Sequence, residues 1–214
     1  MLYIFDWDGT LLDSTGKIIR CMQSAIIELG LPEREDHQVK NIIGLGLEEA
    51  VSCLFPAISA PASVKLRETY SQHFIAADQT PCHFYPHVQS VLQQLRSQGH
   101  QLAVATGKSR RGLDRVLTSL QMQHFFDGSR CADETASKPN PLMLEQLLEQ
   151  FQTDIGDAVM VGDTEFDLEM AANLGMKRIG VSYGAHSIDR LERHAPELIM
   201  DTFDQLLHWR GAGG

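Results

Sequence analysis

Four short stretches of this chain carry side chains that could work on one reacting group. The first is Asp6-Trp7-Asp8-Gly9-Thr10, directly after the apolar run Leu2-Tyr3-Ile4-Phe5. The second is Thr106-Gly107, after Leu102-Ala103-Val104-Ala105. The third is Ser137-Lys138-Pro139-Asn140-Pro141, and the fourth is Gly162-Asp163 with Asp167 a helical turn later. A carboxylate held rigidly at a strand end, as Asp6 would be, can attack phosphorus and form an acyl-phosphate, which splits one hard step into two. Asp8, two residues on, can protonate the leaving oxygen and then activate a water, given a pKa lifted toward neutrality by neighbouring carboxylates. Thr106 and the amide of Gly107 can hold phosphoryl oxygens, and Lys138 can stabilise their charge. Each residue also has a plainer reading. Asp6 and Asp8 could be turn residues, Asp163 an Asx-turn or helix cap, and Asp167 a solvated helix carboxylate.

Charge balance adds a requirement. Four carboxylates and a phosphate dianion would meet one lysine. Each like-charge pair at about 4 Å costs roughly 4 kcal/mol at an effective dielectric near 20. Such a cleft needs a divalent cation, and oxygen-only ligands favour Mg²⁺ over zinc or copper. The ion would orient Asp6, neutralise charge and polarise phosphoryl oxygens.

Something must bring these stretches together. The runs at 2–5, 102–105, 158–161, 178–181 and 198–200 are apolar without alternation, as expected of strands buried on both faces of a parallel sheet. Between them, Val88, Val91, Leu92 and Leu95, then Leu113, Val116, Leu117 and Leu120, then Leu144, Leu147 and Leu148, then Phe166, Met170, Ala171 and Leu174 recur at helical spacing. Strand alternating with helix predicts an α/β doubly wound parallel sheet, whose ligands bind beyond the carboxyl ends of the strands. Residues 14–83 break the rhythm and read as helices throughout, an insertion after the first strand. Pro81 to Pro86 suits a return linker, and Gly211 to Gly214 a frayed tail.

Asp6-x-Asp8-Gly9-Thr10-Leu11, Thr106, Lys138 and Gly162-Asp163-x-x-x-Asp167 together resemble, in order, the four signatures of the haloacid-dehalogenase-like hydrolase superfamily. The insertion resembles the helical cap of the subgroup that includes phosphoglycolate phosphatases. The resemblance implies a Rossmann-like α/β core formed by 1–13 and 84–214, with a cap at 14–83. It implies a Mg²⁺-dependent phosphatase that acts on a small phosphomonoester through an aspartyl-phosphate on Asp6. It also implies that Asp6, Asp8 (through its backbone carbonyl), Asp163 and Asp167 surround the metal, Asp167 either directly, through water or by orienting Lys138. Asp8 argues against the superfamily's carbon-attacking dehalogenases, which lack an acid there, and against its phosphonate hydrolases, which carry a small residue there. A β-phosphoglucomutase-like sugar mutase, a pyrophosphatase and a non-catalytic binding module remain as alternatives.

Substrate choice would fall to the cap. Lys17 and Arg20 on its first helix, and Leu45 in Gly44-Leu45-Gly46-Leu47, are candidates to touch the leaving group, with exposed helix charges and a simple interhelical turn as their plainer readings. Lys108, Arg110 and Arg111 cluster near Thr106, where they could steer anions, but read first as the solvated start of a helix. His186 reads as a surface-loop residue that could reach the cleft rim.

The rest of the sequence excludes more than it assigns. The chain has 214 residues and a formal charge of −10, with 43% apolar and 21% charged residues. That is ordinary for a folded protein, and the acidic balance disfavours nucleic acid as a partner. No apolar run approaches the roughly 20 residues needed to span a bilayer. The N-terminus lacks the basic segment of a signal peptide. The four cysteines have no C-x-x-C spacing and read as isolated reduced thiols in a cytoplasmic protein. The expected partner is a small phosphorylated metabolite, with the chain a monomer or weak homodimer.

Overall fold

The computed structural model describes residues 1–77 and 82–211. Pro81 and the last three residues of the glycine-rich tail lie outside the described residues. Six strands form one parallel sheet: β1 (Leu2–Phe5), β2 (Gln101–Thr106), β3 (Gly128–Cys131), β4 (Ala158–Gly162), β5 (Lys177–Val181) and β6 (Leu198–Met200). Their spatial order is β3-β2-β1-β4-β5-β6. The chain runs outward from β1 to β3, then returns to the other side of β1 to lay down β4. The order therefore reverses between β1 and β4, the place where an open α/β sheet leaves a crevice at its carboxyl edge.

The expected strands are all present. β1 shows why its sequence lacks alternation. Leu2 and Ile4 pack on one face with Ala103, Met160 and the Met143, Leu144 and Leu147 of α7 (Leu142–Phe151). Tyr3 and Phe5 pack on the other, with Val104, Val161 and the Val91, Leu92 and Leu95 of α5 (Val88–Ser97). Successive side chains point to opposite faces, and both faces are covered. The sheet is completed by α6 (Arg110–Ser119), α8 (Glu165–Leu174) and the short α9 (Ile188–Glu192).

β3 has no counterpart in the sequence reading. Gly128-Ser129-Arg130-Cys131 lies at the sheet edge and only Cys131 is buried, so no apolar run marks it. Gly128 is where Phe151 closes on the backbone; a Cβ there would stand 2.8 Å from its ring.

Between β1 and α5 the chain makes α1 (Thr15–Glu28), α2 (Asp36–Lys40), α3 (Leu47–Leu54) and α4 (Ala60–Ala76). Met22, Ala25 and Ile26 of α1 form a separate apolar cluster with Val51 and Leu54 of α3 and Leu66 of α4. α2 is too short to show a period. It is fixed by a capping box, in which the Glu35 amide donates to Gln38 Oε1 at 2.9 Å. Among the described residues no helix is long and apolar enough to cross a membrane. All four cysteines are free.

Candidate active site

β1 delivers Asp6 to the crevice. The Asp6 amide donates to Val161 O at 2.9 Å, so the residue continues the ladder between β1 and β4 before the chain turns. Asp6 is 1% exposed. Oδ1 accepts from Lys138 Nζ at 2.6 Å, while Oδ2 has no hydrogen-bond partner. Lys138 is itself buried, and its Nζ also lies 2.6 Å from Asp167 Oδ1.

Asp163 follows β4. Its Oδ1 accepts from Thr10 Oγ1 at 2.8 Å and its Oδ2 from the Ala185 amide at 2.7 Å. Asp167 sits at the third position of α8. Its Oδ2 accepts from the amide and hydroxyl of Thr164, at 3.1 and 2.7 Å, in a capping box. The helix cap and the site thus use the same side chain, and Asp167 is fully buried rather than solvated. Three glycines make the gathering possible. A Cβ at Gly9 or Gly184 would stand 2.2 Å from atoms of Asp163, and one at Gly162 would stand 2.3 Å from Asp167.

Oxygen atoms of Asp6, Asp163 and Asp167 lie within 4.8 Å of one another. Three buried carboxylates face one buried ammonium, so the cluster is short of positive charge. Burial pushes the Asp6 carboxyl well above its ordinary value, and Asp167 and Asp163 add to this against the opposing pull of Lys138. Burial, then Asp167, lifts Asp163 to about 7. Burial works against the Lys138 ammonium, but Asp167 and Asp6 outweigh it and hold Lys138 above its usual value. Lys138 therefore stays charged, and the surplus is negative. An orphaned Asp6 oxygen, a glycine cradle and an all-oxygen donor set fit a small hard dication such as Mg²⁺.

Asp8 stands apart from this cluster. Its carboxylate accepts from Ser14 Oγ at 2.6 Å and from Lys108 Nζ at 2.7 and 3.0 Å. Lys108 is thus not part of a solvated helix start. It turns inward to Asp8, while the neighbouring Ser109 caps α6, accepting from the Gly112 amide at 3.2 Å. Arg110 does pair outward, with Glu134 at 2.7 Å and with Asp114. Arg111 is exposed at the rim of the cleft. Nothing in the sequence marked Lys108 as an inward lysine, beyond its place two residues after Thr106.

The cleft above Asp6 and Asp8 has a volume of about 460 Å³, and Thr106, Gly107, Lys108 and Leu45 are among its lining residues. The loop Gly44-Leu45-Gly46 is seated on the sheet edge. A Cβ on Gly107 would stand 2.5 Å from Leu45 O, and the Gly46 amide donates to Ser137 Oγ at 2.8 Å. Lys17 and Arg20 do not line this cleft. They border a separate cavity with Asp13, His73 and His83. Lys17 is buried, its Nζ 4.3 Å from the centre of the Phe74 ring, because α1 turns that face toward α4.

His186 is also placed differently from the surface-loop reading. It is 2% exposed. Its Nδ1 accepts from the Glu165 amide at 3.1 Å and its Nε2 stands 3.3 Å from Asn41 O. Arg190 donates to Asn41 Oδ1 at 2.8 Å while it pairs with Glu165. Together they tie the end of α2 to the start of α8.

Comparison with known proteins agrees with this architecture. A family model described as haloacid dehalogenase-like hydrolase matches residues 3–181. A relative from Dickeya dadantii named "Probable phosphatase IndB" is 34% identical over 211 residues, covering 96% of this chain and 91% of the relative. A phosphoglycolate phosphatase from Vibrio parahaemolyticus is 27% identical, covering 96% of this chain and 94% of its own. A crystal structure of a hydrolase from Pseudomonas syringae superposes with a TM-score of 0.88 at 21% identity, covering 97% of each chain. A solved structure of a predicted phosphoglycolate phosphatase from Haemophilus somnus gives 0.87 at 24% identity, covering 97% of this chain and 96% of that one. With its four sequence signatures gathered at one sheet edge, this chain belongs to the haloacid dehalogenase-like hydrolase family.

Proposed function

We propose that the protein is a Mg²⁺-dependent phosphatase that hydrolyses a small phosphomonoester through an aspartyl-phosphate on Asp6. The observation that carries this reading is the state of Asp6: fixed at the strand end, one oxygen on Lys138 and the other buried without a partner. Asp6, Asp163 and Asp167, with the backbone of Asp8, would hold the Mg²⁺. When bound, the ion supplies charge neutralisation and polarises the phosphoryl group.

The chain's own residues do the rest. Lys138 and Thr106, with the amide of Gly107, hold the phosphoryl oxygens. A carboxylate oxygen of Asp6 forms a bond to phosphorus as the bond from phosphorus to the ester oxygen breaks. The departing alkoxide takes a proton from Asp8, which enters this step as the neutral acid with one oxygen still held by Lys108 Nζ. Asp8, now ionised, takes a proton from water as that water attacks phosphorus, and the bond to Asp6 breaks. Phosphate leaves, with Asp6 restored as carboxylate and Asp8 as acid. Asp8 lines the cleft with Asp6, and its side chain is held by Ser14 and Lys108 rather than by the neighbouring carboxylates that the sequence suggested.

In this reading residues 14–83 act as a cap that closes over the cleft and excludes water. Leu45 is its contact nearest the phosphoryl site. The substrate is a soluble phosphorylated metabolite and the protein works in the cytoplasm as a monomer or weak homodimer. The test is release of inorganic phosphate from p-nitrophenyl phosphate with Mg²⁺. Turnover should vanish in Asp6→Asn and in EDTA while the far-UV spectrum is kept. Undiminished turnover by Asp6→Asn would remove Asp6 as nucleophile. Formation of an isomerised sugar phosphate, without free phosphate, would favour the mutase.

A further inference from the structure

The cleft between the cap helices and the sheet edge holds far more space than the reacting phosphoryl group fills. Its volume of about 460 Å³ lies in the range of about 300–1,000 Å³ typical of clefts that enclose drug-sized ligands. That space persists with the Gly44-Leu45-Gly46 loop seated against Gly107 and Ser137. A leaving group of two or three carbons would leave most of it to water, which defeats the exclusion that closure provides.

The wall facing Asp8 is largely apolar, with Lys17 and Lys108 Nζ 4.3 and 4.8 Å from the centre of its Phe74 ring. Ile18 and Met22 come from α1, Ile42 and Ile43 from the turn after α2, and Tyr70 and Phe74 from α4. The two aromatic rings pack at 5.8 Å between centroids, tilted 45°. The polar groups on the cap side are the Tyr70 hydroxyl, Ser71 and the charged side chains of Glu48, Glu49 and Arg67. Arg67 is paired with Glu48 at 2.9 Å, and Ser71 Oγ donates to Arg67 O at 2.8 Å along its own helix. A polyol would find few neutral partners there and would leave hydroxyls unpaired against hydrocarbon. On the core side Lys108 is bonded to Asp8.

Resting on the phosphatase reading, we infer that the leaving alcohol carries an apolar body of about ring size, which seats against Ile43, Tyr70 and Phe74 while the phosphoryl group sits on Asp6. Burial of that body would be the main source of specificity. Short polar phosphoesters would be hydrolysed with high KM.

A homologous series tests this separately from catalysis. Binding of n-alkylphosphonates from methyl to hexyl is measured by calorimetry with Mg²⁺ present. Kd should fall about three- to fourfold for each methylene added, and the gain should shrink in Phe74→Ala and be kept in Phe74→Leu. A Kd that does not change with chain length overturns the inference, even if the variants fail to fold. Turnover of the matching n-alkyl phosphates, whose leaving groups have similar basicity, then separates the two readings. Equal kcat/KM across the series leaves the phosphatase standing and removes the apolar subsite. A chain-length gain in phosphonate binding without any hydrolysis supports the subsite and removes the phosphatase.

Discussion

The Lys108 ammonium spans both carboxylate oxygens of Asp8, at 2.7 and 3.0 Å, with each side chain 12% exposed. Ser14 holds Asp8 Oδ1 from the other side at 2.6 Å. The proposed acid is therefore positioned by two donors before any substrate enters. Charge-assisted hydrogen bonds of this kind contribute about 1.5–3 kcal/mol. Replacing Lys108 by Met should lower kcat/KM about ten- to hundredfold, equivalent to about 1.4–2.7 kcal/mol of barrier. Most of the loss should fall on kcat, since the phosphoryl group is held by other residues, and Lys108→Arg should recover part of it. Steady-state kinetics on one substrate reads all three. Unchanged constants in the Met variant would mean that Ser14 alone positions Asp8.

The carboxylate cluster is held in place by close backbone approach at Gly184. Gly184 has an ordinary backbone conformation, yet a Cβ there would stand 2.2 Å from Asp163 Cβ. Gly184→Ala should displace Asp163 without a penalty from backbone strain. A ligand that binds only the folded state stabilises it by RT ln(1 + [L]/Kd). The wild-type protein should therefore melt at a higher temperature in millimolar Mg²⁺ than in EDTA. The Gly184→Ala variant should lose most of that increment, and its phosphatase activity with it. Equal Mg²⁺ increments in the two proteins would place the ion away from Asp163.

Much of this site was legible in the sequence, and the reason is geometric. Asp6, Thr106 and Asp163 each end an apolar run, and a parallel sheet carries all such ends to one edge. Short-range pattern therefore predicted a long-range meeting. Asp167 was half legible. Its spacing from Asp163 gave the face of the helix, but its burial depends on Gly162 and on Lys138, which no local pattern reveals. Lys108 was read as solvated because flexible lysines usually are. Its inward turn follows from a partner 100 positions away in sequence. Lys17 was read as an exposed helix charge or a leaving-group contact, whereas α1 packs that face against α4 and sets its Nζ 4.3 Å from the centre of the Phe74 ring. β3 escaped because an edge strand needs no apolar run.

Closure of the cap can be tested at Gly107. Leu45 O and Gly44 O would lie 2.5 and 2.6 Å from a Cβ at this position. Gly107→Ala should lift the Gly44-Leu45-Gly46 loop off the sheet edge and break the bond from the Gly46 amide to Ser137 Oγ. The fold should survive, because the contact is a loop seat and not part of either core. Removing that bond costs about 1 kcal/mol by itself; the larger effect should be kinetic. KM should rise and kcat fall together, as expected when closure completes the site. Protease nicking between 41 and 47 should become faster than in the wild-type protein. A variant with wild-type kinetics and resistance would show that the loop can re-seat around the added methyl group.

His186 gives the protein an acid-side weakness whose sign can be worked out. Its Nδ1 already accepts from the Glu165 amide, so a proton there would face an N–H, and Nε2 is the nitrogen left to donate toward Asn41 O. Burial, then the charge of Arg190, lowers its pKa from 6.5 to about 4, with Glu165 and Asp167 opposing. Between those two values the unfolded chain binds the proton and the folded chain does not. The contribution of neutral His186 is thus complete above about pH 6.5 and is lost as pH falls toward 4. A His186→Gln variant lacks this titration. The stability difference between wild type and variant should shrink by on the order of 2 kcal/mol between pH 7 and pH 5. Urea unfolding of both proteins at several pH values, in EDTA so that metal binding does not contribute, measures it. A difference that stays constant with pH would mean that His186 titrates equally in the two states, and that the tie between α2 and α8 does not depend on its neutral form.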